Sequence, residues 1–457
     1  MTLRNDLPLV ERALAAASTT RRIVVRGGAL AEPGRLASEI FPDRTAAVVA
    51  DGTTYRVAGE AVLASLRAAG VPVAEPVVFP AEPTLRPDLL NVATVRARLD
   101  PDTLPIAVGS GTINDLTKRA AHEAGLPYMV VATAASMDGY TASGAALIAD
   151  GVKQTFPCEA PLAVVADLDV IAAAPDDMTA SGYGDLIGKV TAGADWILAD
   201  ALGIEPILPD IWEMVQGPLP GMIADPERYF RGDRGEIEQL FDGLVITGLA
   251  IQAAGFTRPA SGSEHQFSHL WEMRGLEHGG ELVSHGKKVG LGTIVSTTIY
   301  DRLLAFPIDR LDIDRAVAAW PSWPEMEAII RRTHDHPALV DKALEECRAK
   351  HLTPDALGDR LTRLRDQWPT LAPRLRAQLL PVDRLRNMLH QARCPTRPED
   401  IGLTMSQMRE SYLVAGQIRR RYTVFDIALE AGLLGRFVDE IFGPDGYWAT
   451  PEGNATS

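Results

Sequence analysis

The chain is poor in cysteine, histidine and aromatic residues. Its 457 residues include three cysteines and nine histidines, and 6% are aromatic. Cys158, Cys347 and Cys394 are far apart and form no CxxC motif, which argues against a thiolate metal site and favours a reducing cytoplasm. Basic residues are outnumbered by acidic ones, so the formal net charge is −15. This charge argues against nucleic acid or an acidic membrane surface as the main partner.

Long apolar runs are also missing. The longest, residues 244–256, has about 13 residues, whereas a membrane-spanning helix needs roughly 20. The N-terminal sequence MTLRNDLPLVERALAAAS carries acidic residues and lacks the apolar core of a signal peptide. We therefore expect a cytoplasmic protein without a membrane partner. The length predicts two or three domains.

The order of apolar segments predicts two different architectures. Residues 1–175 alternate β-rich apolar runs, such as AAVVADG and LPIAVGSGT, with helical patterns, which predicts an α/β Rossmann-like domain with a parallel sheet. Residues 176–457 have helical apolar spacing and predict an all-α domain. That domain includes a charged, proline-broken helical stretch at about 308–398. We expect the active site in the cleft between the two domains.

A glycine-rich turn at 109–111 lies between an apolar strand and a helical segment that stops at Gly125. Glycines let the backbone approach a pyrophosphate, whose charge a helix N-terminus stabilises. Thr112 and Asp115 have the spacing of a capping box, which predicts the helix start. Because Asn114 occupies the last position of GxGxxG, a tight strand-to-helix turn is an equal alternative to a phosphate-binding loop.

A second loop, VVATAASMDGYTASGAA, follows the next predicted strand. Small or hydroxyl residues flank Asp138 in it, and they are Thr133, Ala134, Ala135, Ser136, Thr141 and Ser143. Small side chains leave room for a ligand and hydroxyls can bond to it, whereas Asp138 is an odd choice for a packed turn. The loop therefore favours ligand binding. Asp51, at the end of AAVVAD, could meet an adenosine ribose or simply form a turn.

Four of the nine histidines lie between residues 265 and 285. His265 and His269 are four residues apart, so they share one face of a predicted helix. His285 precedes a predicted loop-to-helix turn. Asp185 lies in the apolar run ASGYGDLIGK, where a buried carboxylate without partners would be costly. One carboxylate with two or three imidazoles suits a divalent metal such as zinc, nickel or iron.

Ser263 and Gln266 have capping-box spacing, which places His265 in the first turn of its helix. Three other histidines are interpreted as ordinary surface residues. His278 lies in a polar loop, and His334 and His336 lie in a charged segment that favours an exposed turn.

The motifs GSGTINDLTK, TAASMDGYTAS, GYGDLIGK, GSEHQFSH and HGKKVG occur in this order between about Ile23 and Gly292. With these motifs, and with IRRRYTVFDIALEAG near the end, the chain resembles the sn-glycerol-1-phosphate dehydrogenases of the iron-containing alcohol dehydrogenase and dehydroquinate synthase superfamily. The 308–398 stretch makes the chain longer than expected of that family, and it could alter oligomerisation or cover the site.

The resemblance implies roles for individual residues. Asp185, His265 and His285 would bind the metal, and Asp138 and His269 would contact substrate. The implied contacts to NAD or NADP are Gly109, Ser110, Gly111, Thr112, Ile113, Thr133, Ala134, Ala135 and Ser136, to which we add Asp51 and Ser143 as weaker candidates. One departure weakens the last of these, because Ala142 occupies the position of a family serine and Ser143 follows it.

We therefore expect a metal-dependent, NAD(P)-linked enzyme that interconverts dihydroxyacetone phosphate and sn-glycerol 1-phosphate, as a homo-oligomer. Zinc is favoured by ligand type, with nickel or iron as alternatives. The substrate phosphate could be met by Lys153, Lys189 or Lys287. The alternatives are dehydroquinate-synthase-like or glycerol and polyol dehydrogenase chemistry on the same fold, or a non-catalytic nucleotide-binding relative. The MDG and GSEH motifs favour the glycerol-phosphate branch.

Overall fold

Six parallel strands form the central sheet. The computed structural model describes residues 8–149 and 151–449. Counting two separate hairpins, the described residues form ten strands: β1 (Arg22–Arg26), β2 (Thr45–Asp51), β3 (Val77–Phe79), β4 (Thr103–Gly109), β5 (Met129–Ala132), β6 (Ala145–Ala149), β7 (Val152–Phe156), β8 (Ala163–Asp167), β9 (Glu277–His278) and β10 (Glu281–Leu282). The main sheet has the order β1-β8-β5-β4-β2-β3, and its neighbouring strands pair in parallel.

The inner strands are buried on both faces. All residues of β4, β5 and β8 are buried, so these strands need apolar side chains on both sides and helices over both faces. The helices of this part are α1 (Leu9–Ala16), α2 (Pro33–Ile40), α3 (Gly52–Thr54), α4 (Glu60–Ala68), α5 (Leu89–Arg96), α6 (Gly111–Ala124) and α7 (Leu168–Ala172). The predicted α/β architecture is confirmed.

The direction of the strand order changes between β2 and β4. From β2 the chain continues to β3 at one edge, whereas β4 leads to β5 and β8 on the other side. Open parallel sheets bind ligands at such a switch point, beside the carboxyl ends of the strands. The glycine turn follows β4 and Asp51 ends β2, so both lie at this point.

The second half of the chain is helical, as predicted. Its helices are α8 (Asp176–Ile187), α9 (Lys189–Ala201), α10 (Pro209–Gln216), α11 (Leu219–Ile223), α12 (Arg234–Ala254), α13 (Ser263–Met273), α14 (His285–Ala305), α15 (Ile313–Ala319), α16 (Trp323–Thr333), α17 (Pro337–Lys350), α18 (Pro354–Gln378), α19 (Val382–Gln391), α20 (Met405–Val414), α21 (Val424–Glu430) and α22 (Leu434–Phe442). The short antiparallel hairpin of β9 and β10 lies within this region and was not predicted.

Helix α12 lies in the core. It is long and apolar enough to cross a membrane, but 72% of its apolar window is buried inside the protein. It packs against α1, α8 and α10. Just after α1, the backbone N–H groups of Thr19 and Thr20 donate to Gln252 of α12. Because α1 contacts the helical region and one core continues across residue 175, the division of the chain at that residue stays a prediction.

The stretch at 308–398 is helical and divided at prolines, as expected, since α17 and α18 begin at Pro337 and Pro354, but one of its helices also runs through two prolines. Helix α18 continues through Pro369 and Pro373. Its buried leucines recur with helical spacing, at Leu357, Leu361, Leu364, Leu371 and Leu375. Burial of this apolar face against α9 and α15 outweighs the cost of about 3 kcal/mol for an internal proline.

Both predicted capping boxes are wrong. Helix α6 begins after Ser110, with no side-chain cap, and Asp115 instead accepts from the backbone N–H of Ala146. Helix α13 begins after Gly262, again without a side-chain cap. In both cases the second residue of the expected box bonds to another element, since Gln266 likewise bonds to Arg421 and Thr423. His265 nevertheless lies in the first turn of α13, as expected.

Two further features depart from the expectations. β6 and β7 form an antiparallel hairpin outside the main sheet, and β7 packs against α13 of the helical region. His334 is buried, and its Nε2 lies 2.9 Å from Oε1 of Gln417, so the expected exposed turn is wrong for this residue. The physical reason is that α16 and α17 pack over the segment that precedes α21.

Candidate active site

The three predicted metal ligands come together from three helices. Asp185 lies in α8, His265 in α13 and His285 at the first position of α14. One ligand atom from each lies within 4.8 Å of the others. Ligand atoms of one zinc ion lie about 3–4 Å apart, so small side-chain rotations complete the set. A carboxylate oxygen and two imidazole nitrogens fit a divalent cation in chemistry as well as spacing.

Close packing of α8 and α14 brings Asp185 and His285 together. A Cβ on Gly184 would lie 2.4 Å from the carbonyl oxygen of Gly286. A Cβ on Gly286 would lie 1.7 Å from the carbonyl oxygen of Ser181. The glycines beside the two ligands therefore let the helix backbones touch. This explains the glycine-rich run around Asp185.

Two buried glutamates orient the imidazoles. Nδ1 of His265 lies 2.8 Å from Oε1 of Glu264, and Nδ1 of His285 lies 2.9 Å from Oε1 of Glu272. With Nδ1 donating to a carboxylate, Nε2 of each ring is left free for a metal. Burial, and then the charge of Lys189, lower the pKa of His265 well below its usual value. The ring is therefore neutral, as a metal ligand must be.

Lys189 connects Asp138 with Asp185. Its Nζ lies 2.8 Å from Oδ2 of Asp138 and 2.6 Å from Oδ1 of Asp185, and all three residues are buried. Burial alone would raise the pKa of Asp185, but the charge and hydrogen bond of Lys189, together with other nearby charges, outweigh it and lower the pKa to about 2. Burial and the Asp185 charge raise the pKa of Asp138. The Lys189 charge is thus paired with two carboxylates and is not available to a substrate phosphate.

His269 lies beside the metal residues. Its ring centroid is 6.0 Å from that of His265 and 5.9 Å from that of His285. Its Nδ1 lies 3.4 Å from Oε2 of Glu272. Burial lowers the pKa of His269 well below its usual value, and the charge of Arg419 lowers it further. His269 is therefore a neutral imidazole at the partly open side of the cluster.

The predicted nucleotide turn is held by the second loop. The backbone N–H of Thr133 donates to the carbonyl of Gly109, and Oγ of Ser110 lies 2.6 Å from Oγ of Ser136. A Cβ on Gly109 would lie 2.7 Å from Cβ of Ile113, so the turn into α6 requires glycine there. The carbonyl of Ser136 also accepts from Ser181 of α8. The loop therefore links the nucleotide turn to the helix that carries Asp185.

Residues of α6 that sequence reasoning did not single out also hold the second loop. Nζ of Lys118 donates to the carbonyls of Gly139, Ala142 and Gly144. The Asn114 amide donates to Gly139 as well, which explains a departure from GxGxxG at that position. The only sequence signal for Lys118 is its helical spacing from Asn114, four residues earlier.

The remaining cofactor candidates have less distinctive surroundings. Oδ1 of Asp51 accepts from the backbone N–H groups of Thr53 and Thr54, so Asp51 caps α3. Its contact with a ribose stays a prediction. Ser143 is exposed, while Ala134 and Ala135 are buried beside the turn. Thr112 lies in the first turn of α6.

Sequence comparisons show the family of the chain, and structural comparison shows its fold. Residues 24–175 match the family model described as iron-containing alcohol dehydrogenase. A glycerol-1-phosphate dehydrogenase (NAD(P)+) from Halalkalibacterium halodurans is 38% identical over 256 residues, covering 55% of this chain. That alignment spans 64% of the relative, which is less than two thirds of its length.

Two further similarities extend over more of the chain. The enzyme of the same name from Bacillus licheniformis is 35% identical over 309 residues, which cover 66% of this chain and 77% of the relative. The crystal structure of glycerol dehydrogenase from Schizosaccharomyces pombe aligns with 92% of this chain and 90% of its own, with a TM-score of 0.58 and 15% identity. That likeness shows the fold alone. On the sequence similarity, the chain belongs to the glycerol-1-phosphate dehydrogenase family within the iron-containing alcohol dehydrogenases.

Proposed function

We propose that this protein interconverts dihydroxyacetone phosphate and sn-glycerol 1-phosphate with NAD(H) or NADP(H). The observation that carries the proposal is the cluster of Asp185, His265 and His285, with His269 beside it. The relatives named glycerol-1-phosphate dehydrogenase support the substrate. The glycine turn at the sheet's switch point supports a dinucleotide cofactor.

A divalent metal held by the three ligands would act as a Lewis acid that polarises the carbonyl and stabilises the alkoxide charge. His269 supplies a proton site. With its Nδ1 facing Glu272, its Nε2 can accept a proton from the substrate hydroxyl during oxidation and return it during reduction. Asp138 lies between the nucleotide-binding part and the metal residues, where its carboxylate can orient a substrate hydroxyl.

The ligand set favours zinc, with nickel and iron as alternatives. The cofactor would contact Gly109 to Ile113 and Thr133 to Ser136. We also propose a cytoplasmic location, which the free state of all three cysteines supports. The expected homo-oligomer is tested by measuring the mass in solution.

A substrate pair tests the reaction. We expect NADH or NADPH turnover with dihydroxyacetone phosphate and far weaker turnover with dihydroxyacetone. The opposite preference would favour a polyol dehydrogenase, and turnover of neither would favour a cyclase or a non-catalytic relative.

Substitution of the ligands tests the metal. We expect Asp185→Asn and His265→Ala to lose both bound metal, measured by elemental analysis, and activity. His278→Ala, in the exposed β9–β10 hairpin, is the matched control and should retain both. Unchanged metal content in the two ligand variants would contradict the proposal.

A further inference from the structure

Two lysines surround the glutamate that orients His285. Nζ of Lys153 lies 3.5 Å from Oε1 of Glu272, and Nζ of Lys288 lies 3.3 Å from the same oxygen. Lys288 comes from α14, three residues after His285. Lys153 comes from β7, whose hairpin reaches from the nucleotide-binding part to α13. Both ammonium groups therefore contact the Glu272 carboxylate, which in turn contacts the ring of His285.

Arg419 adds a third cation, and it has no carboxylate partner. Among residues 8–149 and 151–449 it forms no ion pair, and its buried Nε has no hydrogen-bond partner. One terminal nitrogen lies 3.5 Å from Oγ1 of Thr155, two residues after Lys153 in β7. Because β7 packs against α13, this contact places Arg419 beside the hairpin that carries Lys153 to the helix of Glu272 and His269.

The neighbouring arginines are engaged elsewhere. Arg420 pairs with Glu345 and Glu346 of α17, in the 308–398 stretch. Arg421 donates to the carbonyl of Ser261, just before α13. These two contacts anchor the chain just after Arg419. Among the described residues, the Arg419 guanidinium bonds to the Thr155 hydroxyl and pairs with no carboxylate.

The charge and the exposure of the region around Lys153, Lys288 and Arg419 suit the binding of an anion. Lys153 and Lys288 both contact Glu272, and Arg419 lies beside the same hairpin, in a chain whose net charge is −15. The side chains of His269, His285 and Lys153 are 17%, 25% and 22% exposed, whereas that of Asp185 is fully buried. The cluster therefore opens to solvent on the side where the cations lie. A dianion entering there would be attracted by the positive charges of the two lysines and of Arg419.

We propose that Lys153, Lys288 and Arg419 form the subsite for the substrate's phosphate group, with the Thr155 hydroxyl as an additional donor. This inference rests on the proposed function. A three-carbon phosphate is short, so its phosphate must bind close to the metal residues, as these cations do. The other lysines considered from sequence are engaged elsewhere, because Lys189 bonds Asp138 and Asp185 and Lys287 pairs with Asp177.

Binding of inorganic phosphate to the metal-loaded protein tests the subsite without turnover. By calorimetry we expect Arg419→Met and Lys153→Met each to weaken phosphate binding about ten-fold or more, and Arg419→Lys to weaken it less. Lys287→Met is the matched control and should bind phosphate as the unaltered protein does. Unfolding temperature and metal content are measured for each variant, so that misfolding is separated from lost binding.

Steady-state kinetics then test the role in substrate recognition. For Arg419→Met we expect kcat/KM for dihydroxyacetone phosphate to fall about 30-fold, while kcat/KM for dihydroxyacetone and the Kd for NAD(P)H stay unchanged. Equal losses on both substrates, a change confined to cofactor affinity, or phosphate binding that all variants retain would overturn the subsite. If the unaltered protein does not turn over dihydroxyacetone phosphate but the variants still lose phosphate binding, the proposed reaction fails and the anion subsite stands.

Discussion

At the scale of single residues, Glu264 decides how the buried His265 ring is presented. Its carboxylate accepts from the backbone N–H of Gly262 and from the hydroxyl of Thr191, and it lies 2.8 Å from Nδ1 of His265. Both the ring's tautomer and its rotation are therefore fixed by one side chain. Replacing a residue that orients a metal-binding histidine typically weakens metal binding about 10- to 100-fold.

Replacing this carboxylate with an amide tests the arrangement. We expect Glu264→Gln to weaken metal binding about 10- to 100-fold, because the amide can leave His265 in the wrong tautomer. The measurement is competition with a chelator of known affinity. Glu410→Gln, which alters a surface partner of Arg274, should leave metal affinity unchanged. Equal affinity in the Glu264 variant and the unaltered protein would contradict the orienting role.

At the scale of helices, the contact between α8 and α14 sets the separation of two predicted ligands. We expect Gly286→Ala to cost about 3 kcal/mol or more of unfolding free energy, because its Cβ would collide with the backbone of Ser181. It should also weaken metal binding, since the collision pushes His285 away from Asp185. Denaturant unfolding and metal titration measure the two effects.

The control is a helical glycine with room for a methyl group. A Cβ on Gly358, inside α18, would make only an ordinary contact at 3.8 Å with Val317. Gly358→Ala should therefore stabilise the protein by about 0.5–1 kcal/mol and leave metal binding unchanged. A Gly286 variant as stable as this control would show that the two helices can separate without harm.

Helix α12 carries a pH-sensitive carboxyl. Burial, and then the charge of Glu238, raise the pKa of Asp242 from its usual value near 3.8 to about 7. A raised folded-state pKa gives stability that is complete below about pH 4 and lost as pH rises through 7. We expect Asp242→Asn to be about 2 kcal/mol more stable at pH 8 and to show no advantage near pH 4. Unfolding curves that differ equally at both pH values would contradict this.

Local sequence patterns predicted the helices and strands more accurately than the residues that cap them. The strands of the main sheet and the helix that stops at Gly125 were predicted because apolar periodicity and an αL glycine are local signals. The caps of α6 and α13 were predicted wrongly, since Asp115 and Gln266 bond to other elements instead. The continuous α18 was missed for the same reason, because packing of its leucines outweighs two prolines.

At the scale of the whole molecule, the metal would bind residues from three helices and thereby stabilise the folded state. We expect the unfolding temperature to rise with free zinc concentration, with about 2.7 kcal/mol gained at 100 times the Kd. A chelator should reverse the rise. Asp185→Asn should show no response to zinc, and a response equal to that of the unaltered protein would place the stabilising metal elsewhere.

The sequence alone determined the α/β sheet and the helical second half. It also determined the chemistry of the candidate metal ligands, one carboxylate and two imidazoles. Buried parallel strands and clustered histidines leave signatures within short windows. The structure brings the predicted ligands together, and their roles stay predictions. Sequence similarity then identified the family.

Only the tertiary structure decided which cations remain available to a ligand. In the sequence Lys153, Lys189 and Lys287 were equivalent, and Lys288 and Arg419 were not considered. In the fold Lys189 pairs with two carboxylates and Lys287 pairs with Asp177, whereas Arg419 pairs with no carboxylate among the described residues. The physical reason is that a charge acts through its burial and its neighbours, and these neighbours come from distant parts of the chain.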